Sequence, residues 1–514
     1  MLRIAWVLVL VVVCDGSRVL VVSPVPSRTH AVLTDSLVEI LLNAGHEVTY
    51  VSNYSKLKSS ERLICINISS VDHEDTDVVN SGTLSLMQDQ PPYQLLEEGV
   101  EHAQRLLRHQ LVQNLLLDTN VGYDAVVAEW YYSGLLAPLA ALYECPLIWY
   151  STLDPNWMTL QLVHGQTNPA YAVDFQARNV ASPPYTITSR LQRLGRQIYM
   201  SARMFYTMHY VETPIYDELY RPLLKLHDRI PSDYESLVYN GSLLLVNSHP
   251  LVGQTLPLPA NVKYVGGHHL EEPTKPLPQK LQAILDSAKH GVILFSLRSH
   301  ARSQDLIHHV KYQLLQMFEQ LEQTVIWTID KKLDNLPENV FTFRWVPQTS
   351  ILNHSNTILF INNGGLTSLI EATYYGVPVI GIPLVGDQFV NIDLAQARDR
   401  AIIVNYSEYL AYTLKSAINE ILGNNSYRIN AKAGAELFQN RIATPQQELL
   451  YYINLVISTK GASHLRSRAL ELSTVQRLYL DVVILLLLVL WFLSKVLKVI
   501  QVHMKAEDED KKNN

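Results

Sequence analysis

The hydrophobic pattern switches between two periods along most of the chain. RVLVVSP, from Arg18, is a short, valine-rich, unbroken apolar run, as strands buried on both faces are. Over residues 31–44 the apolar positions Leu33, Leu37, Ile40 and Leu41 recur at helical spacing, and Gly45 stands where a C′ glycine ends a helix. HEVTYVS is the next strand. DAVVAE, a helix to about Tyr143, and PLIWYS repeat the cycle. This alternation predicts a parallel α/β sheet with right-handed crossovers. GVILFSL, from Gly291, opens a second series, with TVIWTID, NVFTFRW, TILFIN, VPVIGIP and AIIVN as its later strands. Helices fit over residues 303–322, 366–375 and 388–398, and residues 418–450 add more helix.

Between the two series lie six prolines, from Pro250 to Pro278, which mark the best domain boundary. Residues 173–236 have a helical pattern rich in Tyr, Met and Arg, show no chemical motif, and read as packing helices. Two Rossmann-like domains facing each other across a cleft are the natural architecture.

Both ends depart from the α/β pattern. Arg3, an apolar run from Ile4 to Val13, and the small residues Cys14 and Gly16 are arranged as in a cleaved secretory signal, which predicts a signal peptide over residues 1–16. LYLDVVILLLLVLWFLSKVLKVI, residues 478–500, is uncharged from Val482 to Ser494, and Asp481, Lys495 and Lys498 can reach the interfaces of a bilayer about 30 Å thick. The lysines after it predict a cytosolic C-terminal side. Lys511 and Lys512, fourth and third from the end, resemble the dilysine retrieval signal of endoplasmic reticulum membrane proteins.

Composition narrows the class. At 514 residues the chain exceeds one core of roughly 250–300 residues. A hydrophobic content of 48% excludes a disordered chain, and a spread net charge of −7 without a basic run argues against nucleic acid as a partner. With Cys14 removed, only Cys65 and Cys145 remain, so at most one disulfide can form. N-x-S/T sequons begin at Asn53, Asn67, Asn240, Asn353, Asn405 and Asn424, all before the span.

The chemistry concentrates between Trp345 and Gln388. Trp345 follows a strand, where α/β sheets bind ligands, and its face can stack on a uracil ring. Gln348 can reach the nucleoside. TILFIN leads into Asn362, Asn363, Gly364 and Gly365 and then a helix, a junction that aims free N–H groups and a positive dipole end at an anion. Thr367 and Ser368 add hydroxyls in the first turn. Glu371, on the face of Thr367, can bind a ribose diol. Asp387 and Gln388 end the next strand and suit sugar hydroxyls. No metal site is expected, because the neighbouring side chains of His268–His269 and of His308–His309 do not converge.

This ordered set resembles the signature of the UDP-glycosyltransferases, the family that includes the animal UDP-glucuronosyltransferases. The resemblance extends over nearly the whole chain, through LLLVNSHPL, NVKYVGG, GVILFSL, KGASHLRS, the span and the lysine tail. It implies the GT-B fold, with a signal peptide at 1–16, an N-terminal acceptor-binding domain at 17–245, a linker at 246–280 and a C-terminal UDP-sugar-binding domain at 281–440. C-terminal helices at 441–477, a transmembrane helix at 478–500 and a cytosolic tail at 501–514 complete it. By the same resemblance Trp345 stacks on uracil, Gln348 contacts the nucleoside, and Asn363, Gly364, Gly365, Thr367 and Ser368 lie along the diphosphate with Ser299. Glu371 holds the ribose, and Asp387 and Gln388 the sugar.

SRTHAVLTDSLVEILLNAGHEV resembles the family's first loop and helix, and His30, sixteen residues before His46, falls at its catalytic position. A neutral imidazole there can deprotonate an acceptor hydroxyl. Glu129, ending DAVVAE, is expected to hold its other nitrogen, although the family often has Asp at that place.

Two positions depart from the family pattern. Asn363 replaces a His that contacts the diphosphate, and the SLGS loop reads Ser296-Leu297-Arg298-Ser299. The expected function is an inverting transfer of a hexosyl or glucuronosyl group, from UDP-glucose or UDP-glucuronic acid to a small lipophilic acceptor. The UDP-sugar is a co-substrate, no cofactor is expected, and the setting is a detoxifying glycoprotein of the endoplasmic reticulum membrane. The alternative is a catalytically weak or inactive relative that binds a lipophile or serves as partner subunit, in a homo- or heterodimer.

Overall fold

Valine-rich strands with alternate side chains packed on opposite faces place strand β1 (Arg18–Ser23) at the centre of a three-layer domain. Val19 and Val21 join one core cluster, while Leu20 and Val22 join another. The structure is a computed structural model and describes residues 16–69, 93–174, 186–297, 308–329, 333–477 and 479–513. The signal-peptide segment before Gly16, and Arg298 and Ser299, lie outside the described residues.

The first sheet comprises β1, β2 (Glu47–Ser52), β3 (Leu63–Asn67), β4 (Ala125–Glu129), β5 (Leu147–Ser151), β6 (Leu243–Val246) and β7 (Val262–Tyr264). Its order is β3-β2-β1-β4-β5-β6-β7, with every pair parallel. The second comprises β8 (Val292–Ser296), β9 (Thr324–Thr328), β10 (Val340–Phe343), β11 (Thr357–Asn362), β12 (Val379–Gly381) and β13 (Ala401–Ile403), in the order β10-β9-β8-β11-β12-β13. In each sheet the strand order reverses once, between β1 and β4 and between β8 and β11. Such switch points leave a crevice at the carboxyl strand ends, where open α/β sheets take their ligands.

Helix α1 (Arg28–Asn43) follows β1 and buries Leu33, Leu37 and Leu41 against the sheet. Helix α2 (Gln94–Arg108) buries Leu96, Val100 and Ala103 on the opposite face. Residues 213–226 bury Tyr216, Tyr220, Leu223 and Leu224, as the reading of 173–236 as packing helices expects, but helix α3 (Ile187–Thr207) departs from it. It buries only Met200 and Thr207 and turns Ile187, Leu191, Leu194 and Ile198 to the outside. Spacing fixes which residues share a helix face, not whether another element covers it.

In the second sheet α4 (Leu366–Tyr375) follows β11 and α5 (Gln388–Gln396) follows β12, at the expected places. Helix α4 is bounded by Gly365 and by Gly376 in the left-handed conformation, φ 68°. Strand β7 lies inside the stretch 246–280 read as linker, so that stretch is partly a sheet edge. It is three residues long among prolines, too short to show a period. Helix α6 (Pro445–Ser458) returns to the first sheet, where Leu449, Ile453 and Val456 complete the core beside α1.

Residues 466–514 form a separate unit. It contains α7 (Leu480–Asn513), of which Leu480–Val502 is long and apolar enough to cross a membrane. Cys65 and Cys145 are free thiols.

Candidate active site

The β1/β4 switch point brings three side chains together. Val22 pairs with Ala128, so Ser23 and Glu129 end adjacent strands. Glu129 is buried, and its Oε2 accepts from Ser23 Oγ at 2.5 Å. Its Oε1 lies 2.5 Å from Nδ1 of His30, in the first turn of α1. The buried carboxylate holds the proton on Nδ1 and leaves Nε2 as the acceptor. The Tyr131 ring meets the His30 ring edge-on at 5.6 Å.

His102, on α2, stands behind Tyr131 with ring centroids 5.9 Å apart. Its Nδ1 is buried without a partner among the described residues, and burial pushes its pKa down to about 4. It is neutral at pH 7. From the other domain comes Asp387, whose carboxyl is pushed up by burial and drawn down by Asn391 and by the positive form of His30. Asn391 Nδ2 donates to Asp387 Oδ2 at 2.7 Å. Asp387 lies close enough to His30 to feel its charge, and Arg28, just after β1, reaches the ring of Trp345, just after β10, so the carboxyl ends of the two sheets face each other.

Trp345 lies just beyond β10 and is 52% exposed. The guanidinium of Arg28, at the start of α1, lies over its ring, 5.2 Å from the centroid. Gln348 Nε2 donates to Glu371 Oε2 at 2.6 Å and to Ser368 Oγ at 3.2 Å. Oε1 of the buried Glu371 meets Nε2 of His269 at 3.2 Å. His269 is a site residue that sequence reasoning missed. It drew attention only as half of an adjacent pair, and nothing local links it to Glu371, 102 residues on. The other half, His268, faces the carbonyl oxygens of Val265 and Leu33 at 3.0 and 3.1 Å.

The Gly-Gly turn is built from its own asparagines. Asn362 Oδ1 accepts from Gly364 N–H at 2.6 Å, and Asn363 Oδ1 accepts from Gly365 N–H at 3.2 Å. Gly364 has φ +80°, and a Cβ there would sit 2.8 Å from the carbonyl oxygen of Gln388. In α4 the N–H groups of Leu366, Thr367 and Ser368 have no intrahelical acceptor and point out of the first turn. Gln388 is buried, its Oε1 accepting from Leu384 and Val385 N–H at 2.8 and 3.1 Å, which leaves its amide hydrogens as the donors of that side chain. Asn391 Nδ2 also donates to Gly364 O at 3.3 Å, tying this turn to the Gly-Gly turn. The expected residues other than Ser299 therefore gather at the facing strand ends. Ser23, His102, Tyr131, His269 and Asn391 join them without a sequence signal of their own.

Two parallel sheets with opposed strand-end crevices define a GT-B glycosyltransferase fold, and solved structures of that kind superpose over most of the chain. The UDP-glucose: anthocyanidin 3-O-glucosyltransferase in complex with UDP matches with a TM-score of 0.54 and 14% identity, covering 87% of this chain and 100% of that one. Arabidopsis thaliana UGT89C1 matches with a TM-score of 0.55 and 18% identity, covering 86% and 99%. By sequence, residues 17–509 match the family described as UDP-glucoronosyl and UDP-glucosyl transferase, and the chain belongs to that family. It is therefore a UDP-glycosyltransferase. The UDP-glucosyltransferase 2 of Dactylopius coccus is 28% identical over 494 residues, 95% of this chain and 93% of that protein. The UDP-glucuronosyltransferase 2A3 of Mus musculus is 33% identical over 260 residues, 50% and 48%. The 2-hydroxyacylsphingosine 1-beta-galactosyltransferase of Homo sapiens is 26% identical over 521 residues, 96% and 90%.

Proposed function

We propose that this chain moves a hexosyl or glucuronosyl group from UDP-glucose or UDP-glucuronic acid to the hydroxyl of a small lipophilic acceptor, with inversion. Nε2 of His30 takes the acceptor's hydroxyl proton. The oxygen attacks the anomeric carbon in line, and the bond from that carbon to the diphosphate oxygen breaks as the new bond forms. UDP leaves, and the proton on the imidazolium passes to water. Glu129 keeps Nδ1 protonated and stabilises the imidazolium.

The observation that carries this reading is the 2.5 Å contact between His30 and the buried Glu129, opposite the strand ends that hold Asp387 and Gln388. Trp345 stacks on uracil, Gln348 contacts the nucleoside, and Glu371 accepts from the ribose hydroxyls. The first turn of α4, with Gly364, Gly365, Thr367 and Ser368, receives the diphosphate through N–H and hydroxyl donors. Asn363 shapes that turn. Asp387 and Gln388 bind the sugar. Charge on the leaving group is met by donors and a helix dipole, so the proposed step needs no metal.

The setting is the endoplasmic reticulum membrane, with Leu480–Val502 as the single span and the catalytic part in the lumen. Protease protection in microsomes tests this: digestion of the body of the chain in sealed vesicles refutes it. A screen of UDP-glucose and UDP-glucuronic acid against phenols and sterols, read by mass shift, tests the activity. A His30→Ala chain that turns over as fast as wild type removes His30 from its role. A second reading, a non-catalytic relative, is favoured by Asn363, whose amide oxygen faces Gly365 N–H and whose side chain carries no charge. Calorimetry that finds no UDP binding at millimolar concentration supports that reading.

A further inference from the structure

We infer that Arg28 is a donor-binding residue, which leaves the face of Trp345 when uracil stacks there and pairs with the diphosphate. The inference rests on the cleft being the UDP-sugar site. Three observations carry it.

The first is position. Arg28 opens α1, two residues before His30, yet its guanidinium lies over the ring of Trp345, 5.2 Å from the centroid. The side chain thus spans from the loops of the first sheet to those of the second, across the mouth of the cleft. The second is competition. A base stacked on that ring face and the guanidinium cannot occupy it together, so the donor displaces a cation as it enters. Rotation about the side-chain bonds moves the charge while the Cα stays beside His30.

The third is charge balance. A diphosphate brings two negative charges to a cleft that already holds Glu129, Glu371 and Asp387. The donors aimed at it from α4 are N–H and hydroxyl groups, which bring partial charge only. Asn363 is uncharged, and its amide oxygen faces the Gly365 N–H. The planar fork of an arginine matches phosphate oxygens bidentately, which a lysine cannot do. Arg28 is then both the cover of the empty uracil seat and the counter-charge of the occupied one.

The test is calorimetry on the full chain in nanodiscs with uridine and with UDP, for wild type, Arg28→Ala, Arg28→Lys and Arg344→Ala. Arg344 is a cation next to Trp345 in the chain and controls for the general field. Loss of one charged bidentate partner predicts UDP binding weaker by roughly 10- to 100-fold in Arg28→Ala. Uridine binding stays the same or tightens, because its seat is uncovered. Arg28→Lys recovers part of the loss, and Arg344→Ala changes neither ligand. Tighter UDP binding in Arg28→Ala would show that Arg28 only covers the ring and overturns the inference. So do equal losses for uridine and UDP, or an equal effect of Arg344→Ala. Wild type that binds UDP with Arg28→Ala unchanged removes Arg28 alone. Wild type that binds no UDP removes this inference together with the donor-site reading.

Discussion

Nδ1 of His30 and Oε1 of Glu129 lie 2.5 Å apart, although 99 residues separate them in the chain. The contact exists because β1 and β4 are neighbours, which sets Ser23 and Glu129 side by side and lets α1 bring His30 over both. A glutamate at that strand end reaches the imidazole without a break in β4. Shortening it by one methylene withdraws the carboxylate by about 1.5 Å.

Glu129→Ala therefore lowers kcat by roughly 10²- to 10⁴-fold with little change in donor KM, since the base loses its orientation and its counter-charge. Glu129→Asp falls between. Steady-state rates with a responsive acceptor decide it, and an alanine variant within twofold of wild type rules the pairing out.

His269 holds one oxygen of Glu371 while Gln348 holds the other. His269→Ala frees the carboxylate to rotate, and donor affinity falls by roughly fivefold, on the order of 1 kcal/mol. His269→Gln restores part of it through its amide N–H. Quenching of Trp fluorescence by added UDP reads the change, and kcat at saturating donor stays near wild type. A drop confined to kcat would contradict a positioning role.

Gly364 stands at φ +80° with the Gln388 carbonyl close to where a Cβ would project. Gly364→Ala strains the turn by about 1–2 kcal/mol and shifts both the α4 N-terminus and the Asp387–Gln388 turn. UDP binding and melting temperature fall together. Gly386, where a Cβ meets nothing within 4 Å, is the control for steric crowding, since its φ of +59° is also left-handed. Similar loss at both positions would assign the effect to backbone strain rather than crowding.

Burial holds the pKa of His102 near 4, below the ordinary 6.5. The folded state resists the proton that the unfolded chain accepts. The stability from this group is complete above about pH 6.5 and drains away as pH falls towards 4. His102→Gln removes that slope. Urea midpoints at pH 7, 5.5 and 4.5 check it: the variant gains on wild type as pH drops, and parallel curves would show that His102 does not carry the effect.

Much of the fold was legible because its signals are local. Leu366–Tyr375 reads correctly at both ends, since glycines bracket it and the apolar run before it is a buried strand. The short edge strand Val262–Tyr264 hides among prolines, because three residues cannot display a period of two. The face of α3 that carries Ile187 and Leu191 looks like core in the chain and stands outside in the fold.

The sequence by itself determined the alternation of strands and helices, the apolar C-terminal segment and the ordered set of residues from Trp345 to Gln388, whose parts follow one another across strand ends and helix starts. His30 and Glu129 entered through family resemblance. Only the tertiary structure decided that Glu129 reaches His30, that Asp387 faces them from the second sheet, that His269 supports Glu371 and that Arg28 lies over Trp345. Strand order within a sheet and the facing of two sheets arise from long-range packing, and no local period in the chain encodes which distant strand end becomes a neighbour.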